Sequence, residues 1–336
     1  MPEIPGLHHV TAIAGEPQRN LDFYAGFMGL RLIKLTVNYD DPETYHLYFG
    51  DEVGHPGTIL TFFPWPGAPR GTKGVGQATA VSFSISSGST DYWVERLRNH
   101  GVGFEGPTER FGDQVISFSD PDGLSLELVG NAGKERRSGW ELGPVPQEHA
   151  IHRLFGVTLS EEGYERTASL IVDSLGFRSV GEDGNRFRYQ VGRGGPGATV
   201  DILCQPEGPT GNVSVGTVHH VAWRTPSDEA QVEWRRELVK KRLNVTPVID
   251  RKYFHSIYFR EPGGVLFEIA TDPPGFTVDE PVDELGTKLM LPPQLEGIRV
   301  ALTDALPRIR LPRPQGQEVS PSNKNSADSG EISDGS

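Results

Sequence analysis

The sequence predicts an α+β protein built from four βαβββ modules, each about 55 residues long. Gly6-Leu7-His8-His9-Val10 recurs far downstream as Thr217-Val218-His219-His220-Val221. The segment Phe118-Ser-Asp-Pro-Asp-Gly-Leu-Ser-Leu-Glu127-Leu aligns without a gap on Phe259-Arg-Glu-Pro-Gly-Gly-Val-Leu-Phe-Glu268-Ile. Two hairpins thus share an acidic-Pro-x-Gly turn and a glutamate beyond it. Between these landmarks the order strand, helix, three strands repeats.

In the first module Leu7–Ile13 alternates as a strand. Asn20–Met28 reads as a helix with Asn20 as N-cap and Leu21, Tyr24, Ala25 and Met28 as its apolar stripe. Strands follow over 31–37, 44–49 and 58–63, with Gly-rich turns between them. The second module has a strand over 79–85, a helix over 90–100 carrying Trp93, Val94 and Leu97, and strands over 103–111, 114–119 and 124–129. The third repeats this with a helix over 161–175 and strands near 177–181, 186–191 and 199–204. Its Gly192-Arg-Gly-Gly-Pro-Gly run lies between two strands with no helix after it, so it reads as a hairpin loop, not a phosphate cradle. The fourth module spans Thr217–Asp272.

These modules divide the chain into an N-terminal half over 6–130, a linker over 131–149 and a C-terminal half over 150–272. An extension over 273–313 follows, with a short amphipathic helix at 295–306. Residues 314–336 are mostly Pro, Gly, Ser, Asn and Asp, a composition expected to stay disordered.

Composition narrows the function classes. A charge of −13 disfavours nucleic acid or an anionic membrane as a partner, because either needs a basic surface. No apolar run approaches the roughly 20 residues of a spanning helix, and the first residues lack the pattern of a signal peptide. The single cysteine, Cys204, rules out an intrachain disulfide and agrees with a cytoplasmic protein.

From about residue 6 to 272 the four modules resemble the vicinal oxygen chelate superfamily. That resemblance implies that modules pair, that the strands form two curled mixed sheets, and that metal ligands come from the first and last strands of both partners. Repeat alignment then offers His9 and Thr61 in the first module, Ala80 and Glu127 in the second, Arg153 and Asp201 in the third, and His220 and Glu268 in the fourth. Only pairing of first with fourth gathers two imidazoles and a carboxylate. Two His and one carboxylate with open positions opposite suit non-haem Fe(II) oxygen chemistry. Zinc accepts the same ligands.

The resemblance sharpens at Gly-Leu-His8-His9-Val-Thr11, at His219-His220 and at Arg251-x₆-Tyr258 ahead of Glu268, which are similar to the ring-cleaving dioxygenases that open hydroquinones. It implies Fe(II) on His9, His220 and Glu268, with Mn(II) or Zn(II) less favoured, and an aromatic diol and O₂ as reactants. His8, Thr11, His219, Arg251 and Tyr258 would surround the metal or line the pocket. Tyr258 would serve as acid or base, and Arg251 would steady developing negative charge. Alternation independently puts Thr11 beside His9, and Tyr258 with Ser256 on the inner face opposite Ile257 and Phe259. The same rule turns His8 and His219 away from the metal unless the strand bends. Ile59 and Phe63, flanking Thr61, are expected to form an apolar wall.

Taken singly, either His-His pair reads as polar residues on a sheet edge; both at equivalent positions, with Glu268, favour a site. Glu127 is expected to bridge to Arg153. His46, His55, His100, His149, His152 and His255 read as surface or turn histidines, with His55 a weak candidate for the pocket rim. Two alternatives stay open: a glyoxalase-like metal-dependent lyase or isomerase, and a small-molecule binding module without catalysis. A homo-oligomer is also left open.

Overall fold

The computed structural model describes residues 2–131 and 139–311. Its first module comprises β1 (Leu7–Ala14), α1 (Pro17–Leu21, continued as π-helix over Asp22–Phe27), β2 (Arg31–Asn38), β3 (Asp41–Gly50) and β4 (Ile59–Pro64). The second comprises β5 (Gln77–Ser86), α2 (Thr90–Asn99), β6 (Phe104–Arg110), β7 (Asp113–Ser119) and β8 (Ser125–Asn131). The third holds β9 (Arg153–Glu161), α3 (Glu165–Asp173), β10 (Arg178–Asp183), β11 (Arg186–Gln190) and β12 (Thr199–Cys204). The fourth holds β13 (Val218–Thr225), α4 (Asp228–Lys240), β14 (Ile249–Asp250), β15 (Phe254–Arg260) and β16 (Leu266–Pro274).

Two helix starts differ from expectation. The first helix begins at Pro17, whose fixed φ suits the first turn and whose missing N–H costs nothing there. Asn20 is therefore no cap: it is buried inside the helix, and its side-chain amide has no hydrogen-bond partner among the described residues. The third helix begins at Glu165, because β9 runs on to Glu161, where pairing with Cys204 of β12 holds the backbone extended.

The strands form two eight-stranded mixed sheets, ordered β14-β15-β16-β13-β1-β4-β3-β2 and β10-β11-β12-β9-β5-β8-β7-β6. Antiparallel pairing of β1 with β13 joins modules one and four; β5 with β9 joins two and three. Each sheet thus draws one module from each half of the chain. Each helix turns an apolar stripe onto its sheet. Trp93 and Leu97 of α2 and Trp234 and Leu238 of α4 are buried, and α4 packs on β13, β15 and β16. The other sheet face is free to present polar side chains inward.

The extension folds back on module one. Met290 N–H donates to Leu35 O at 2.8 Å, and Arg31 donates to Val282 O at 2.6 Å. The fully buried Lys34 ammonium meets Asp279 at 2.7 Å and also Glu280. This strap covers β2, which would otherwise offer an unpaired edge. The expected short helix is α5, Arg299–Ala305, preceded by a 3₁₀ stretch over Pro293–Ile298. Residues 314–336, and 132–138 within the expected linker, lie outside the described residues. Among the described residues no helix is long and apolar enough to cross a membrane.

Candidate metal centre and substrate cavity

His9 reaches the first sheet's inner face from β1, His220 from the adjacent β13, and Glu268 from β16 beside it. The expected pairing of first with fourth module therefore brings together residues from opposite ends of the chain. His9 Nε2 lies 3.3 Å from His220 Nε2 and 3.4 Å from Glu268 Oε2, and His220 Nε2 lies 3.0 Å from the same oxygen. All three side chains are buried, and their candidate ligand atoms fall within 4.8 Å of one another.

Alternation holds for Thr11 and Tyr258 and fails for His8 and His219. On β1, Leu7 pairs with Trp223 and His9 with Ala222, so His8 is one extra residue. On β13, Thr11 faces His220 and Ala12 faces Val218, so His219 is the extra one. Both His-His pairs straddle β-bulges, which re-aim side chains that a regular pleat would send to opposite faces. The bulges put His8 Nδ1 2.9 Å from His9 Nδ1, and His219 Nδ1 2.7 Å from His220 Nδ1. In each couple one ring donates its Nδ1–H to the other. Placing that proton on His9 and His220 leaves both Nε2 lone pairs facing Glu268.

Burial, then the neighbouring His9, holds the His8 imidazole well below its ordinary value. Burial, then His220, brings His219 down to about 3. Burial also lowers His220, against the opposing pull of Glu268. Burial alone would raise the Glu268 carboxyl, but His9 and His220 outweigh it and keep it well below 4.5. Ser256 Oγ donates to Glu268 Oε1 at 2.5 Å, whereas among the described residues Oε2 has no hydrogen-bond donor other than the facing imidazoles. A buried anionic oxygen without a donor is costly unless a cation completes it. Two imidazole nitrogens and that oxygen fit a divalent metal.

Beside these atoms opens a cavity of about 400 Å³ whose lining includes His219, Phe63, Phe254 and Leu266. Tyr258, paired across β15 and β16 with Glu268, accepts a hydrogen bond from Arg251 Nε at 3.2 Å. Burial and then Glu268 raise the Tyr258 hydroxyl, with Arg251 pulling the other way. Arg251 Nη1 also donates to Asp40 of module one at 2.9 Å. Of the residues expected at the site, His9, His219, His220, Arg251 and Tyr258 line the cavity, Glu268 and Thr11 are fully buried, and His8 packs against Phe254 with ring centroids 5.0 Å apart. Phe63 is on the wall as expected, but Ile59 is buried in a cluster with Tyr48 and Ala222 and does not line it.

The readings of His46 and of the Glu127–Arg153 pair change, while His55 keeps its place as an exposed histidine. His46 is no surface or turn residue: it lines the cavity and contacts Thr61 at 2.9 Å. Pairing of Tyr48 with Thr61 across β3 and β4 places it there, and period-two alternation on β3 was the available signal. His55 bonds to Asp51 at 2.7 Å, away from the cavity. Glu127 pairs with Arg110 at 2.8 Å, not with Arg153. Asp201 pairs with Thr158 as Thr61 pairs with Thr11, so the third module's corner is Gly156. The repeat alignment had slipped by three residues at a strand without a landmark.

A family model for the "Glyoxalase/Bleomycin resistance protein/Dioxygenase superfamily" matches residues 6–128 and 152–269. The chain belongs to that superfamily. It is 48% identical over 301 residues to "Putative ring-cleaving dioxygenase MhqO" of Bacillus subtilis, covering 90% of this chain and 95% of that one. It is 36% identical over 308 residues to "Chlorohydroquinone/hydroquinone 1,2-dioxygenase" of Sphingobium indicum, covering 89% and 95%. A crystal structure of a Bacillus subtilis protein titled a putative dioxygenase superposes with a TM-score of 0.89 at 46% identity, over 93% of this chain and 99% of that one. Vicinal oxygen chelate architecture and ring-cleaving relatives thus agree with the two curled sheets and the buried His-His-Glu cluster.

Proposed function

We propose that this protein is a non-haem Fe(II) ring-cleaving dioxygenase acting on hydroquinone-type aromatic diols. The observation that carries the reading is the convergence of His9 Nε2, His220 Nε2 and an uncapped Glu268 oxygen on one point at the floor of the cavity. Thr61 at the fourth corner withholds the second carboxylate common in glyoxalase-type sites, and a single carboxylate leaves the centre net positive toward an anionic substrate. Fe(II) held there supplies the redox coupling between diol and dioxygen.

The chain's own residues do the rest. His8 and His219 hold the ligand imidazoles in orientation through their Nδ1 atoms, the role of outer partners at metal sites. Phe63, Phe254, Ile249 and Leu266 give the aromatic ring an apolar wall, and about 400 Å³ accommodates a small ring. The Arg251 guanidinium, fixed by Asp40 and Tyr258, sets a positive charge at the wall for a deprotonated hydroxyl. Tyr258 enters the reaction protonated, and the Arg251 Nε–H on its oxygen stabilises the phenolate left when that proton moves. The lone cysteine supports a cytoplasmic location.

Oxygen uptake by Fe(II)-loaded protein with a panel of hydroquinones and catechols tests the reading. Uptake with hydroquinones is expected, and His220→Ala is expected to abolish it. Undiminished uptake by that variant rejects the site.

A further inference from the structure

Arg251 stands on the turn between β14 and β15, and β14, two residues long, gives that turn only a short ladder. Lys252, next along, has φ +69°, a left-handed conformation that residues with a side chain rarely adopt. Such a turn persists when surrounding contacts over-determine it. Here those contacts come from the C-terminal extension, past residue 269 where the family match ends.

Asp279 is at their centre. Its Oδ2 meets Lys252 Nζ at 2.5 Å and accepts a hydrogen bond from Tyr253 Oη at 3.2 Å. Its Oδ1 meets Lys34 Nζ of β2 at 2.7 Å. Lys252 Nζ also donates to Leu291 O at 3.2 Å, and Gly275 N–H donates to Tyr253 O at 2.9 Å. Phe276 stacks on the buried Tyr253 ring, with centroids 5.1 Å apart. Burial would raise the Asp279 carboxyl, but Lys252 and then Lys34 outweigh it and hold it below its ordinary value. We propose that Asp279 is a positioning residue for Arg251: by clamping Lys252 and Tyr253 to β2, it fixes the place from which the guanidinium reaches into the cavity.

The clamp acts at the root of the arginine, whereas its other anchors act at the tip. Asp40 and Tyr258 accept from Nη1 and Nε. A guanidinium on a flexible stem meets both together when its backbone is in register. Arg251 N–H donates to Phe254 O at 3.0 Å and Tyr253 N–H to Arg251 O at 2.9 Å, so the Arg251 backbone moves with its two successors. The rest of the strap does not depend on Asp279: Lys34 keeps Glu280, Met290 keeps Leu35, and Arg31 keeps Val282. The consequence for turnover rests on the proposed dioxygenase reading; the clamp on Arg251 does not.

The two are tested apart. In full-length metal-free protein, the Arg251 Nε–H resonance, assigned by its loss in Arg251→Lys, is expected to shift in Asp279→Asn and to exchange with water roughly tenfold faster. Lys252→Met is expected to do the same, and serves if Asp279→Asn does not fold. Arg31→Gln, which frees the strap at Val282 instead, is expected to leave the resonance in place. An unmoved resonance in folded Asp279→Asn, or an equal shift in Arg31→Gln, overturns the proposal whatever the enzyme's activity. With Fe(II) and the accepted diol, Asp279→Asn is expected to lower kcat/KM roughly tenfold, but by less than about twofold on an Arg251→Met background, since a residue acting through another adds nothing once that one is gone. Equal losses on the two backgrounds show a merely structural role and overturn the turnover half. Wild-type protein that takes up no oxygen rejects the dioxygenase reading, and the resonance still decides the clamp.

Discussion

The inner corners of the first sheet hold His9, Thr61, His220 and Glu268; the matching corners of the second hold Gly156, Asp201, Ala80 and Glu127. The contrast between the two glutamates is instructive, because each takes a serine hydroxyl on one oxygen: Ser256 on Glu268, Ser82 on Glu127. The other oxygen decides the outcome. Glu127 Oε1 is capped by Arg110, while Glu268 Oε2 is left to face two imidazoles. Thr108 pairs with Val115 as Ile249 pairs with Ser256, so Arg110 and Arg251 stand at equivalent positions two residues on. In the first sheet Asp40 and Tyr258 hold that arginine away from the glutamate. The second sheet spends its charges on itself: Arg188 meets Asp201 through Nε at 2.7 Å, and Arg186 meets the same carboxylate at 3.1 Å. The larger cavity, about 900 Å³, is in that second sheet, yet chemistry assigns the site to the smaller one.

The sharpest way to break this comparison is to neutralise the two glutamates separately. Glu268→Gln is expected to abolish both metal retention and oxygen uptake, because the cluster loses its only anion. Glu127→Gln is expected to leave both within about twofold, since the arginine it releases touches no ligand. Metal content after desalting and an oxygen electrode read the two effects; equal losses would erase the distinction. Next in size, Asp201→Asn leaves Arg188, 5% exposed at its side chain, with Asp113 as its one charge partner among the described residues. Breaking a buried pair on one side costs roughly 3 kcal/mol or more. Urea denaturation is expected to show that loss while metal stoichiometry stays unchanged.

How far the sequence carried this comparison depends on which rule governed each residue. The His-His and acidic-Pro-x-Gly landmarks were long enough to align two modules, so pairing of first with fourth, and Tyr258 facing inward, were both legible. The bulges at His8 and His219 were not, because an extra residue in a strand alters no propensity and shows only against its partner's register. Arg153 was misplaced for a related reason: β9 has no landmark, and Gly156, whose Cβ would meet Thr199 O at 2.5 Å, is recognisable as the corner only through strand pairing. His46 was missed because its partners Thr61 and Phe63 come from another strand. The strap on β2 depends on a buried Lys34 that composition alone assigns to the surface.

The smallest predicted effect probes the arginine that the two sheets use differently. Asp40 is largely exposed, with 73% of its side chain accessible, yet it crosses from module one to hold Arg251 of module four. In Asp40→Ala the guanidinium keeps Tyr258 but loses its second anchor and becomes freer to turn toward Glu268, as Arg110 meets Glu127 in the second sheet. An exposed pair of this kind contributes about 0.2–1 kcal/mol, so metal affinity is expected to fall by only about two- to fivefold. The loss should shrink in high salt, which screens exposed charges. Metal titration of the apoprotein at low and high ionic strength checks both points. An affinity equal to wild type would mean that Tyr258 alone keeps Arg251 from Glu268, and Tyr258→Phe combined with Asp40→Ala should then produce the capped carboxylate that the second sheet already has.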